Sequence, residues 1–222
     1  MHFYERLIAA TALDRAALYA APTIAASLRG EVSRELYLAF LEQAFQHVRH
    51  TTPLLMAVGS RLPERLAWLA RPVAHYIAEE IGHEEWILND IAAAGGDAAA
   101  VRHAPPGLAA EVMVAYAWDL VQRRNPVGFF GMVFVLEGTS AALALQAADI
   151  IQEALALPDT AFSYLRSHGL LDQEHTRHLA DLLEGLDATD QAEVLHCARV
   201  FFKLYGDVFR GLTVPQQEAV CN

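Results

Sequence analysis

The sequence predicts an all-α fold, and three observations carry that prediction. Apolar residues recur at spacings of three and four almost throughout the chain, alternation with period two is scarce, and the helix formers Ala and Leu are abundant. The punctuation by Pro and Gly then divides the chain into about seven helical units.

The first helix is expected from Phe3 to Tyr19, with Ala21-Pro22-Thr23 breaking it before a short helical piece that ends at Gly30. Ser33 is the natural N-cap of a second helix, from about Arg34 to Val58, kinked at Pro53 and closed by Gly59. Pro63 opens the third, which is expected to kink near Arg71 because Pro72 lacks an amide donor, and which runs to Ala94 before the stop Gly95-Gly96. Beyond the loop Pro105-Pro106-Gly107 a fourth helix covers about Leu108 to Gln122, and Asn125-Pro126 marks the start of a fifth, from Val127 to about Leu155. The sixth spans Thr160 to Gly185 with an interruption expected at Gly169, and the seventh runs from about Asp190 to Leu212. Connections are short, no linker is of low complexity, and no unit of roughly 20–50 residues repeats, so residues 1–222 are expected to form one compact domain.

A 222-residue chain with 54% hydrophobic residues can bury a sizeable core. No run of about 18 uncharged apolar residues occurs, and Glu5 and Asp14 interrupt the N-terminal segment, so neither a membrane span nor a secretory signal is expected and the cytoplasm is the expected location. Cys197 and Cys221 make no disulfide framework and no thiolate metal motif. With a net charge of −11 and a single lysine, Lys203, beside scattered arginines, no basic stripe exists to follow phosphates, and nucleic acid is not an expected partner. Apolar helices in excess of one core make a homodimer the expected assembly.

Three segments carry metal-type chemistry. Glu80 and His83 lie three apart in the third helix, where neighbours on one face can converge on an ion; a solvated acidic face with a polar histidine is the competing reading. Glu137 lies in GFFGMVFVLEGTSAALALQAA, the most apolar segment, with no Lys or Arg between Val127 and Tyr164. A carboxylate there must stay neutral, find a cation on another helix, or bind a metal, and metal is the simplest partner. His168, Asp172 and His175 fall at i, i+4 and i+7 on one helical face, although a break at Gly169 would bring in Glu174 or His178 instead. Three carboxylates and three imidazoles, without thiolate, suit iron or manganese better than a structural zinc, and six ligands suit two ions better than one. A ferritin-like site would need a second Glu-x-x-His, which the chain lacks. His47 with His50, and Tyr37 with Phe40, either face the site or pack, and packing is the favoured reading; the three tryptophans Trp68, Trp86 and Trp118 are expected to pack in the core.

The order Glu80-x-x-His83, a lone Glu137 and then His168-x-x-x-Asp172-x-x-His175 resembles the haem-oxygenase-like di-metal oxidases. The resemblance extends from about Arg34 to Leu212, and FLEQAFQHVRHTTPLLMAVGSRLP and EEIGHEEWILNDIAAAGGD are similar to the second and third helices of that family. It implies a single haem-oxygenase-like bundle with Glu80, His83, Glu137, His168, Asp172 and His175 as ligands to two Fe or Mn ions, and Glu137 as the bridging and catalytic carboxylate. It also implies O2 as co-substrate and a small, partly apolar organic substrate. Some members place the first carboxylate seven residues before the histidine, where this chain has Tyr76. Known reactions include oxidative decarboxylation of fatty acids, amine N-oxygenation and a self-sacrificing route to para-aminobenzoate. The last uses a lysine in the active-site region, which Lys203 does not match.

Two other readings stand beside the oxidase. One is a metal-free relative of the TenA or PqqC type, although the TenA thiaminases use a mid-chain cysteine nucleophile that neither Cys197 nor Cys221 matches. The other is a non-catalytic helical binding protein, which would bind no metal and tolerate substitution at Glu137. Haem oxygenase itself would need a proximal histidine in the first helix, and His2 is too near the terminus.

Overall fold

The computed structural model describes residues 2–212, and the second cysteine, Cys221, lies outside them. The first predicted helix is two, α1 (Phe3–Ala10) and α2 (Ala12–Tyr19), parted at Thr11, whose buried hydroxyl donates to the Leu7 carbonyl at 2.7 Å. The short α3 (Pro22–Ser27) follows. The second predicted helix also divides, into α4 (Arg34–Val48) and α5 (Thr51–Ser60), with the break at Arg49-His50 and not at Pro53. Pro53 sits in the first turn of α5, where a missing amide donor leaves no hydrogen bond unmade.

The same reasoning removes the expected kink at Pro72. A 3-10 segment, Glu64–Leu69, precedes α6 (Ala70–Glu80), and Pro72 falls in the first turn of α6. The real break in this region comes at Ile81-Gly82, after which α7 (His83–Ala93) begins. A short α8 (Ala98–His103), capped by the Asp97 carboxylate on the Ala100 amide at 2.9 Å, was not foreseen in the 97–107 connection. Then come α9 (Leu108–Arg123), α10 (Phe129–Leu155), α11 (Ser163–Glu184) and α12 (Ala188–Arg210). The interruption expected at Gly169 is absent. A side chain at that position would meet Leu145 at 2.8 Å, so the glycine serves the close approach of α10 and α11.

Among the described residues there is no strand, and the chain forms one all-α bundle. Its centre is α10, buried mainly against α11 and next against α12. By length and composition α10 would cross a bilayer, yet here it is the core helix, with 67% of its most apolar stretch inside the fold. The interior consists of two apolar clusters. One gathers α1, α5, α6, α9, α12 and the first half of α10. The other gathers α4, α7, the second half of α10 and the start of α11. The chain passes from one cluster to the other several times, and three of the passages concern the site: α6–α7 between Tyr76 and Ile87, α10 between Val135 and Ala144, and α11 between Leu165 and Leu179. All six predicted ligand residues fall at these three crossings.

Candidate metal centre

Each crossing delivers its residues by a local device. Glu80 is the last residue of α6 and His83 the first of α7, so they do not share a helical face as the spacing suggested. Gly82, at φ 91°, turns the chain between them and leaves Glu80 Oε2 3.3 Å from His83 Nδ1. α10 supplies Glu137 in mid-helix. α11 is regular and presents His168, Asp172 and His175 on one face, as the sequence predicts. Its start is fixed by Asp90 of α7, a fully buried carboxylate that accepts from the Ser163 hydroxyl, the Ser163 amide at 3.0 Å and the Tyr164 amide at 2.8 Å. α7 and α11 are thereby tied one helical turn before His168.

The structure brings five of the six residues into two donor groups, Glu80 with His83 and His168, and Glu80 with Glu137 and His175, each with its ligand atoms within 4.8 Å of one another. Glu80 belongs to both groups. Asp172 joins neither group; it lies between the histidines, 3.5 Å from His168 Nδ1 and 3.4 Å from His175 Nδ1. His175 Nδ1 also faces Glu137 Oε1 at 3.5 Å.

Five of the six residues are buried and His168 is nearly so, yet His83 Nδ1, Glu137 Oε2, His168 Nε2, Asp172 Oδ1 and both ring nitrogens of His175 have no hydrogen-bond partner among the described residues. Other buried carboxylates are satisfied: Asp90 by the α11 terminus, and Asp190 by the Arg65 guanidinium and the Asn125 amide at 2.8 Å. Buried polar atoms left bare are costly. A cluster of bare oxygen and imidazole donors converging on common points fits divalent iron or manganese, for which these are the preferred ligands.

Protons partly fill the place of a cation. Burial pushes the Glu137 carboxyl up to about 8, against the pull of His175. Burial works in the opposite sense on His175, but the facing Asp172 and Glu137 outweigh it and hold that imidazole at about 10. Asp172 stays below its ordinary value because His168 and His175 together outweigh its burial.

Sequence reasoning missed one neighbour and favoured packing for a second. Glu79 Oε2 lies 3.4 Å from His175 Nε2, the ring edge turned away from Glu80, Glu137 and Asp172. The only signal was its adjacency to Glu80. His47, expected to pack, is fully buried but lines a cavity of about 70 Å³ whose walls include Glu80, Glu137, His168 and Asp172. A second cavity of about 100 Å³ is walled mostly by apolar side chains such as Ile24, Leu28, Phe40, Leu143 and Ile151. Ser140, Tyr164, His168 and Tyr205 line both, and no Lys or Arg lines either. His2, at the outer end of α1, lies 3.7 Å from Glu184 and away from these cavities.

The family model described as iron-containing redox enzyme matches residues 38–206. No curated protein matches the chain in sequence. Among solved structures, a domain of unknown function with a haem oxygenase-like fold from Shewanella denitrificans superposes with a TM-score of 0.83 at 22% identity, covering 94% of this chain and 90% of that one. A TenA homologue from Pseudomonas syringae gives 0.76 at 11% identity over 94% of this chain and 90% of that one. Haem oxygenase from Leptospira interrogans gives 0.73 at 15% identity over 95% and 99%. At these identities the likenesses establish the fold, while the family match spans most of the chain. The chain therefore belongs to the iron-containing redox enzyme family of haem-oxygenase-like fold.

Proposed function

We propose that this chain is a non-haem di-iron oxidase that uses O2 to oxidise a small, partly apolar organic molecule. The observation that carries the reading is the pair of buried donor groups sharing Glu80. His83 and His168 would complete one iron site with Glu80, and Glu137 and His175 the other. Asp172, between the two histidines, would serve as a further ligand or hold both rings in place. Ferrous ions bound here would supply the electrons and open coordination positions that O2 reduction needs.

The chain's own residues do the rest. Glu79 would accept from the outer Nε2–H of His175, which commits Nδ1, facing Glu80 and Glu137, to the metal. Glu137 and His175 would give up protons as metal enters. The apolar walls next to Ser140 and Tyr164 would exclude water and receive the hydrocarbon part of a substrate.

The test is anaerobic reconstitution with ferrous iron. About two irons per chain are expected, with Glu80→Ala losing both and His83→Ala and His175→Ala losing one each, and a transient visible absorption on admitting O2. A chain that binds no iron would move the protein to the metal-free class of this fold, and a Glu80→Ala variant that keeps both irons would remove Glu80 from the centre.

A further inference from the structure

Outside the six candidate ligands, His47 is the one polar group lining the inner cavity, among the described residues, whose hydrogen-bonding sense is fixed and whose partner is missing. Its Nδ1 lies 3.0 Å from the Gln43 backbone carbonyl. A carbonyl only accepts, so Nδ1 carries the proton and Nε2 is a bare lone pair. That Nε2 is buried and has no partner among the described residues. Burial also holds the imidazole down to about 4, so the ring stays neutral at ordinary pH. The Tyr205 ring stands edge-on to it at 5.7 Å, at the wall shared by the two cavities.

The other polar groups at that wall differ in kind. The hydroxyls of Ser140, Tyr164 and Tyr205 rotate, and each can donate or accept. The carboxylates and His168 are committed to metal if the di-iron reading holds, on which this proposal rests. Outside them, His47 alone is an acceptor by construction. A site that leaves a buried acceptor bare discriminates strongly between ligands that can donate to it and isosteres that cannot.

We propose that His47 determines substrate specificity: its Nε2 accepts a hydrogen bond from a hydroxyl or amino group on an otherwise apolar small molecule, whose hydrocarbon part occupies the larger cavity beyond Tyr164 and Tyr205. The absence of any Lys or Arg in both walls agrees with an uncharged body, and the cavity of about 100 Å³ suits a short chain or a single ring.

Three probes of similar size test this by calorimetry on the iron-reconstituted, anaerobic protein: benzyl alcohol, which donates; its isomer anisole, an ether that only accepts; and toluene, which does neither. The wild type is expected to bind the alcohol at least about tenfold more tightly than the ether. His47→Phe is expected to abolish that preference while binding toluene as before, and His47→Gln, which restores an acceptor, to recover part of it. Equal binding of alcohol and ether by the wild type, a preference that survives in His47→Phe, or failure of all three probes to bind would overturn the inference. Iron content measured on the same samples separates the outcomes: iron retained with no preference removes the role of His47 alone, whereas iron absent removes the metal centre itself.

Discussion

Substituting Glu137→Leu is expected to make the metal-free protein more stable at neutral pH while removing a ligand from one of the two buried donor groups, and the structure gives the size of the effect. In the folded, metal-free chain burial holds the Glu137 carboxyl at about 8, against an ordinary value of 4.5. Between those values the folded chain retains a proton that the unfolded chain has released, so stability falls as pH rises through that window. At pH 7 the penalty is about 3 kcal/mol, from about 1.4 kcal/mol for each pH unit above the ordinary value. Leucine needs no proton and forfeits one contact, that with His175 Nδ1 at 3.5 Å. With the acid neutral, that contact contributes about 1 kcal/mol. The net gain is about 2 kcal/mol, roughly 4–8 °C in melting temperature for a chain of this size, and it should vanish near pH 5. Thermal melts of both proteins in chelator at pH 5, 6, 7 and 8 measure it, with iron content determined in parallel. A variant less stable than the wild type at pH 7, or a difference that does not change with pH, would refute the reasoning.

Two further outcomes follow from the geometry. Glu79→Gln should lower affinity for ferrous or manganous ion by about 10- to 100-fold in a chelator competition, because the outer edge of His175 loses its carboxylate, while the melting temperature of the metal-free protein stays within a degree or two; unchanged affinity would remove Glu79 from the site. Gly82→Ala should destabilise the fold by about 1 kcal/mol, a cost of the 91° backbone angle alone since nothing lies within 4 Å of the added carbon, and wild-type stability in the variant would show that the turn can be made otherwise.

Much of this was legible in the residues. Helical periodicity identified the fold class, and the run of apolar neighbours around Glu137 announced a buried carboxylate. The face of His168, Asp172 and His175 needed only the helical repeat. What sequence could not resolve was where helices stop. Pro53 and Pro72 look like kinks in a pattern of apolar residues but fall in first turns, where proline is at ease, whereas the breaks at Arg49-His50 and Ile81-Gly82 carry weaker local signals. The shared place of Glu80 was hidden for a related reason: it depends on a left-handed turn that brings α6 and α7 together at the point where α11 passes. His47 looked like packing because an unsatisfied nitrogen can be recognised only once its neighbours are known.

The turn at Gly82 also makes the ligand spacing adjustable. Were Glu80 and His83 on one unbroken helix, inserting a single residue between them would rotate everything beyond it by about 100° and turn the buried face of α7 toward solvent. With a turn between two independent helices, an added residue lengthens the turn, and α6 and α7 keep their faces against their own apolar clusters. Carboxylate-to-histidine spacing can therefore drift between related chains without repacking the interior. Tyr76, buried one helical turn before Glu80, occupies the position seven residues before His83 that the family resemblance would assign to a longer-spaced carboxylate. Exchange between the two arrangements would be a change of two side chains on a standing framework.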